Sequence, residues 1–221
     1  MAQNNQPQAE PVEQTVSGFE AFIKRYGRIL GWCIVAALAT VIAILAYNRL
    51  IVNPARENAR GAMFPAEKAF MEGNYQVALD GDGVNMGLAE VIEEFGSRAD
   101  ASAFYYAGVA ALQLNRNEEA LEYLKKYKGK DPVINGRALC CIGDALVNLD
   151  RNAEAIQWYN KAAAVAENSF RSLYLMKAAT IHEVQGNTAE ALKLYEEIKT
   201  KYPRSMEADQ AVKCISRIEN K

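Results

Sequence analysis

The sequence predicts an all-α protein in which one apolar helix, long enough to cross a membrane, precedes an array of stacked helix pairs. Three observations lead there. No charged residue occurs in the nineteen positions from Ile29 to Tyr47. Beyond that window, small-residue and turn markers recur about every 35 residues. Prolines number only six in 221 residues, and β-branched runs are scarce after residue 53.

Composition sets the outer bounds. The chain is 50% hydrophobic and 24% charged, which is globular rather than disordered, and its length allows one ordinary domain plus extras. A formal net charge of -2 gives no footprint for a nucleic-acid partner.

The apolar window comes first in chain order. Nineteen helical residues at about 1.5 Å each span about 28 Å, close to the hydrocarbon thickness of a bilayer. Tyr26 and Trp32 near one end and Tyr47 at the other suit interfacial positions. A buried core helix rarely runs this long without a polar face. A cleaved signal peptide is also disfavoured, because a long polar stretch precedes the window and Tyr47-Asn48-Arg49 offers no small-residue cleavage site. The reading is therefore an uncleaved, single-pass anchor.

Flanking charge decides its direction poorly. Lys24, Arg25 and Arg28 lie before the window and Arg49, Arg56 and Arg60 after it, a tie by count. The first three are more tightly clustered, which favours a cytoplasmic N-terminus and a domain outside the cytoplasm. Cys33, Cys140, Cys141 and Cys214 match no zinc, redox or haem spacing and read as free thiols, which sits less easily with an oxidising compartment.

The repeat then sets the fold. Gly108, Gly143 and Ala179 are each followed twelve residues later by Ala120, Ala155 and Ala191. Leu124, Tyr159 and Tyr195 stand four residues further on, and Pro132 and Pro203 share a late position that Glu167 occupies in the second copy. Small residues let two helices approach, an Asn-bearing turn ends one helix and caps the next, and bulky residues fill the gap to the following pair. This pattern resembles the tetratricopeptide repeat (TPR), with Gly or Ala at the eighth position, Ala at the twentieth and Pro at the thirty-second. The resemblance covers about Ala101 to Pro203 and implies a right-handed α-solenoid.

Upstream, Gly73 to Leu79 looks like the middle of a degenerate fourth copy, its second helix interrupted by Gly81 to Gly87 and resumed from Leu88 to Gly96. The Asp-Gly-Asp-Gly tract there lacks the later ligands of a calcium loop and reads as a turn insertion. Pro65 is expected to kink or restart the helix leaving the membrane. Downstream, Ser205 to Asn220 is amphipathic, with Ala208, Val212, Ile215 and Ile218 as its apolar stripe, and suits a capping helix. The resulting division is a polar tail over 1–28, a membrane helix over 29–52, an exit helix and degenerate repeat over 53–100, three repeats over 101–204 and a cap over 205–221.

Motifs for chemistry are missing: there is no phosphate-binding loop, zincin pair or nucleophile elbow, and the single histidine, His182, falls at a core position. No cofactor, metal or small-molecule substrate is expected, and the chain does not read as an enzyme. The TPR resemblance instead implies a groove, lined by the second, fifth, sixth, ninth and twelfth positions of each first helix. Repeat one contributes Tyr105, Tyr106, Val109 and Leu112. Repeat two contributes Cys140, Cys141, Asp144 and Val147, and repeat three Met176, Lys177, Thr180 and Glu183. Tyrosines suit peptide contact because they combine area with a polar tip, although Tyr105 and Tyr106 could equally pack on the degenerate repeat. Tyr105 and Val109 replace the Lys and Asn by which TPR co-chaperones grip a terminal carboxylate, so that clamp is absent.

The whole architecture resembles bacterial inner-membrane YfgM-type proteins, ancillary subunits of the Sec translocon. That resemblance implies repeats in the periplasm, near Sec subunits, exported chains and a membrane-anchored periplasmic chaperone. A structural scaffold of an envelope complex, or a cytoplasm-facing TPR receptor, is the competing reading.

Overall fold

The computed structural model describes the backbone of residues 12–166 and 170–220, and side chains from Lys24 onward within them. Glu167 and the first eleven residues lie outside the described residues. The chain divides after Pro54 into two units.

The first unit is helical. Helix α1 runs over Val12–Tyr47 and passes into a π-helical turn at Asn48–Val52. Helix therefore begins inside the polar segment, well before the apolar window. That window is apolar along its length, and none of it is buried. Trp32 is 72% exposed. A helix apolar on every side and covered by nothing is a candidate membrane span by its length and composition.

The second unit, from Ala55, holds most of α2 (Asn53–Met71) and then α3 (Tyr75–Asp80), α4 (Leu88–Phe95), α5 (Ala101–Gln113), α6 (Asn117–Lys126), α7 (Pro132–Asn148), α8 (Asn152–Val165), α9 (Phe170–Val184), α10 (Thr188–Lys201) and α11 (Met206–Glu219). Against expectation, α2 runs unbroken through Pro65. The residue whose carbonyl loses its N–H partner, Gly61, is exposed, so water can serve that oxygen.

Four helix pairs share one turn. At each, a residue with positive φ follows the first helix: Gly73 at 79°, Asn115 at 58°, Asp150 at 57° and Gly186 at 78°. The next residue's N–H then reaches back five residues to a carbonyl, Asn74 to Ala69, Arg116 to Ala111, Arg151 to Leu146 and Asn187 to His182, at 2.8–2.9 Å. This double closure satisfies the last carbonyls of each helix, and only glycine or a short Asn/Asp side chain adopts its left-handed link cheaply. The asparagine role differs from expectation. Asn115 ends α5, but the cap positions of α6, α8 and α10 make no side-chain capping bond. Asn74, before α3, is the one that accepts from a backbone amide.

The insertion between α3 and α4 is a turn, as expected. The Asp82 carboxylate accepts from the amides of Val84 and Asn85 and from the Asn85 side chain. Its ends are pinched: a Cβ on Gly87 would collide with the backbone of Gly81 and Leu79. The Asn85 and Val84 hydrogen bonds hold the Asp82 carboxyl down to about 2. A depressed folded pKa stabilises the turn above the ordinary carboxylate value, and the contribution fades as pH falls through about 2. The Val84 and Asn85 amide resonances should accordingly keep their shifts at pH 4 and move only toward pH 2; movement centred at about 4 would contradict the turn.

Packing follows the small-to-large register. A Cβ on Gly108 would stand 2.5 Å from Leu124 Cγ, and one on Gly143 would stand 2.5 Å from a Tyr159 ring carbon. The bulky residue thus presses on the small residue of its own pair, where the sequence reading aimed it at the next pair. Ala120, Ala155 and Ala191 are fully buried at the other marker position. Helix α11 packs on α9 and α10 as a terminal cover. Its buried stripe is Ala208, Ala211, Cys214 and Ile215, while Val212, expected inside, is 47% exposed. Small Ala211 and Cys214 turn inward because they permit the closer approach.

Candidate partner-binding groove

The first helices of the three good pairs, α5, α7 and α9, carry the twelve groove residues. Their burial divides by position. Cys140 and Met176, both fifth in their repeats, are buried at 6% exposure, and Tyr105 is half-buried. The sixth, ninth and twelfth positions, from Tyr106 and Val109 to Lys177, Thr180 and Glu183, retain surface. The fifth position therefore belongs more to the core than to an open wall.

In repeat one the tyrosines stack internally. Tyr105 lies 5.6 Å from Tyr106 and 5.7 Å from Tyr127, centroid to centroid. Tyr106 lies 4.9 Å from Phe70 on α2, and Phe70 lies 5.4 Å from Tyr75 on α3. Spacings of this kind add attraction beyond area burial. Tyr106 is thereby committed to the degenerate repeat. Burial pushes both phenols up, and Arg137 draws Tyr105 partly back. Val109 and Leu112 pack partly into the core beside them.

Repeats two and three are joined by a polar knot. Lys177 Nζ donates to Asp144 Oδ1 at 2.7 Å, and the Tyr159 hydroxyl donates to the same oxygen at 2.6 Å. The ammonium also sits 5.7 Å from the Tyr159 ring centroid. Burial is the largest single influence on Lys177 and lowers its pKa, but the Asp144 hydrogen bond and the nearby negative charges together outweigh it and the net shift is upward. Tyr159 is raised by burial and then by Asp144. Glu183 is committed in the same way: it accepts from Arg217 of α11 at 2.7 Å and from the Tyr195 hydroxyl at 2.9 Å. The acidic stretch of the expected groove is thus internally neutralised. Thr180 donates back to the Met176 carbonyl.

Between α7 and α9 a recess of about 180 Å³ remains. Four expected residues line it, Cys140, Cys141, Asp144 and Lys177, together with Arg137, Phe170, Leu173 and Tyr174, which the sequence reading did not name. Arg137 and Leu173 occupy the second position of repeats two and three, so the repeat's own register could have found them. The Arg137 guanidinium lies 5.8 Å from the Phe170 ring centroid. Apolar side chains flank the recess and cations stand beside it, a surface that can seat an extended or helical peptide segment. Val147 lies farther along α7, outside the recess lining.

Burial pushes the Cys141 thiol up to about 11 and Cys140 further, so neither supplies a thiolate nucleophile near neutral pH. His182 is half-buried, and its Nδ1 has no hydrogen-bond partner among the described residues. No group of three or more His, Cys, Asp or Glu among the described residues is arranged to hold a metal ion.

Comparison with known proteins agrees with this geometry. Tetratricopeptide-repeat family models match residues 88–133 and 174–205. Among solved structures the chain is similar to a crystal structure of MamA protein, with a TM-score of 0.55 and 19% identity over 74% of this chain and 91% of that one. A second MamA crystal structure gives a TM-score of 0.50 at 18% identity, covering 70% and 92% respectively. At such identities the likeness is one of fold. No curated protein sequence matches, and no catalytic family is indicated. The family matches and the stacked helix pairs show that the chain contains tetratricopeptide repeats, and such repeats indicate a protein–protein interaction module.

Proposed function

We propose that the chain is a single-pass protein of the bacterial inner membrane, N-terminus in the cytoplasm and repeats in the periplasm, acting as an adaptor at the Sec translocon. The recess between α7 and α9 then engages exported chains or a periplasmic chaperone. The observation that carries the binding reading is this recess, in which Phe170, Leu173 and Tyr174 provide apolar area beside Arg137 and Lys177. The bare apolar α1 supports the anchor, and the resemblance to YfgM-type proteins supports the translocon as its setting. Burial of Cys140 and Cys141 suits an oxidising compartment, because shielded thiols with raised pKa react slowly.

A second reading has its own support. Tyr106, Asp144 and Glu183 are already used between repeats, which leaves a narrow, preformed surface of the kind that suits one dedicated partner, as in an envelope scaffold. A photo-crosslinking residue at Leu173 in native membranes separates the two. Many exported chains captured during secretion is the adaptor's result; one stoichiometric partner is the scaffold's. Protease added to spheroplasts should digest the repeats, and protection would place them in the cytoplasm.

A further inference from the structure

At the start of the second unit a second recess, of about 190 Å³, is lined by Arg56, Arg60, Arg98, Asp100 and Ala101. Three guanidiniums face one carboxylate there, and that carboxylate is already occupied. Asp100 Oδ1 accepts from the backbone and hydroxyl of Ser102, capping α5, and its other oxygen holds Arg60 at 3.1 Å. Arg56 and Arg98 have no carboxylate within ion-pair distance among the described residues, whereas many exposed cations elsewhere on the repeats pair three or four residues away. The recess therefore keeps a surplus of positive charge and two uncommitted guanidinium forks, the group that matches phosphate oxygens in pairs.

Its position along the chain narrows the ligand. Arg56 stands four residues beyond the segment read as the membrane helix, so connectivity keeps it within about 14 Å of that segment's end. Arg56 and Arg60 stand four residues apart on α2 and so share one face of that helix. Cations just beyond a span stand at the depth of the headgroup layer, where their charge meets phosphate.

We infer that Arg56, Arg60 and Arg98 form a site for the phosphate of an anionic phospholipid headgroup. This rests on reading α1 as a span and holds for either orientation, because it needs only a nearby leaflet containing anionic lipid.

The test titrates the full chain, in neutral maltoside micelles, with dioctanoyl phosphatidylglycerol, with the matching phosphatidylcholine and with inorganic phosphate, by calorimetry. Phosphatidylglycerol should bind saturably and phosphatidylcholine should not. The R56Q/R98Q variant should bind phosphatidylglycerol about 25-fold more weakly, at roughly fivefold per lost charge near a surface. Raising salt to about 0.5 M should weaken wild-type binding as well. The R56K/R98K variant, which keeps charge, should retain more affinity than R56Q/R98Q. Circular dichroism of each variant establishes that the fold is intact; both changes are on exposed residues outside the core. Equal binding of the two phospholipids, or of wild type and R56Q/R98Q, overturns the site. Inorganic phosphate binding as tightly as the lipid overturns the lipid as its source. Release of the chain from native membranes by alkaline carbonate would count against the span alone, leaving the micelle titration to judge the arginines.

Discussion

Replacing Tyr195 with alanine should destabilise the repeat domain by about 3–5 kcal/mol, the range for truncating a large buried aromatic. Tyr195 is 1% exposed on α10, one of the largest fully buried side chains in the chain. Truncation removes the ring and also strips Glu183 of the 2.9 Å hydroxyl bond it accepts. Glu183 is the acid that Arg217 grips from α11, so the loss reaches the closing helix. Tyr195→Phe separates the two effects: it keeps the ring and gives up one hydrogen bond, at about 1 kcal/mol. Urea denaturation of the full chain in micelles, followed by helical circular dichroism, reads both. A Tyr195→Ala midpoint equal to wild type would contradict the packing described above.

The second large effect is steric. Gly143→Ala should cost about 1–3 kcal/mol and Gly143→Val more, because a side chain there overpacks α7 against α8. The added Cβ would lie 2.5, 2.7 and 2.9 Å from three atoms of the Tyr159 ring. That ring has little freedom to yield, being 3% exposed and tied to Asp144 through its hydroxyl. Combined with Tyr159→Ala, Gly143→Val should cost less than the sum of the single changes, by about 1 kcal/mol or more, since the valine enters space the ring has left. Gly61→Ala is the control: it meets nothing within 4 Å on an exposed stretch of α2 and should be neutral or stabilising. Strict additivity in the Gly143/Tyr159 cycle would separate the two positions and refute the contact.

What could be read in advance follows from how each feature is encoded. Gly108, Gly143, Leu124 and Tyr159 were legible as small and bulky markers in register, but not their contact: identity declares size and does not say which neighbouring helix the bulky residue meets. The turns at Asn115, Asp150 and Gly186 were legible as markers recurring in register, while the capping expected of the asparagines was not what the helix starts use. Groove chemistry was harder to see. Asp144 and Glu183 look like free acids on a wall until Lys177 and Arg217 arrive from the next helix pair, and no local pattern announces that pairing. The stripe of α11 failed for a related reason. Reading by hydrophobicity favoured Val212, whereas close packing selected the smaller Ala211 and Cys214. Arg98 joins Arg56 and Arg60 only because the short turn at Gly96–Arg98 brings it there.

The ties between helix pairs have a mechanical meaning as well. Asp80 meets Arg116, Asn117 meets Asn148, Asp144 meets Lys177, Ser172 meets Glu207 and Glu183 meets Arg217, at sequence separations of 36, 31, 33, 35 and 34. Every tie therefore joins nearest neighbours, and none of these five skips a repeat. Such an array behaves as springs in series: each junction yields a little, and the compliances add. A load drawn across the helix pairs passes undiminished through every junction and the extension is divided among them, so the array as a whole can lengthen by small shifts while no single interface has to open.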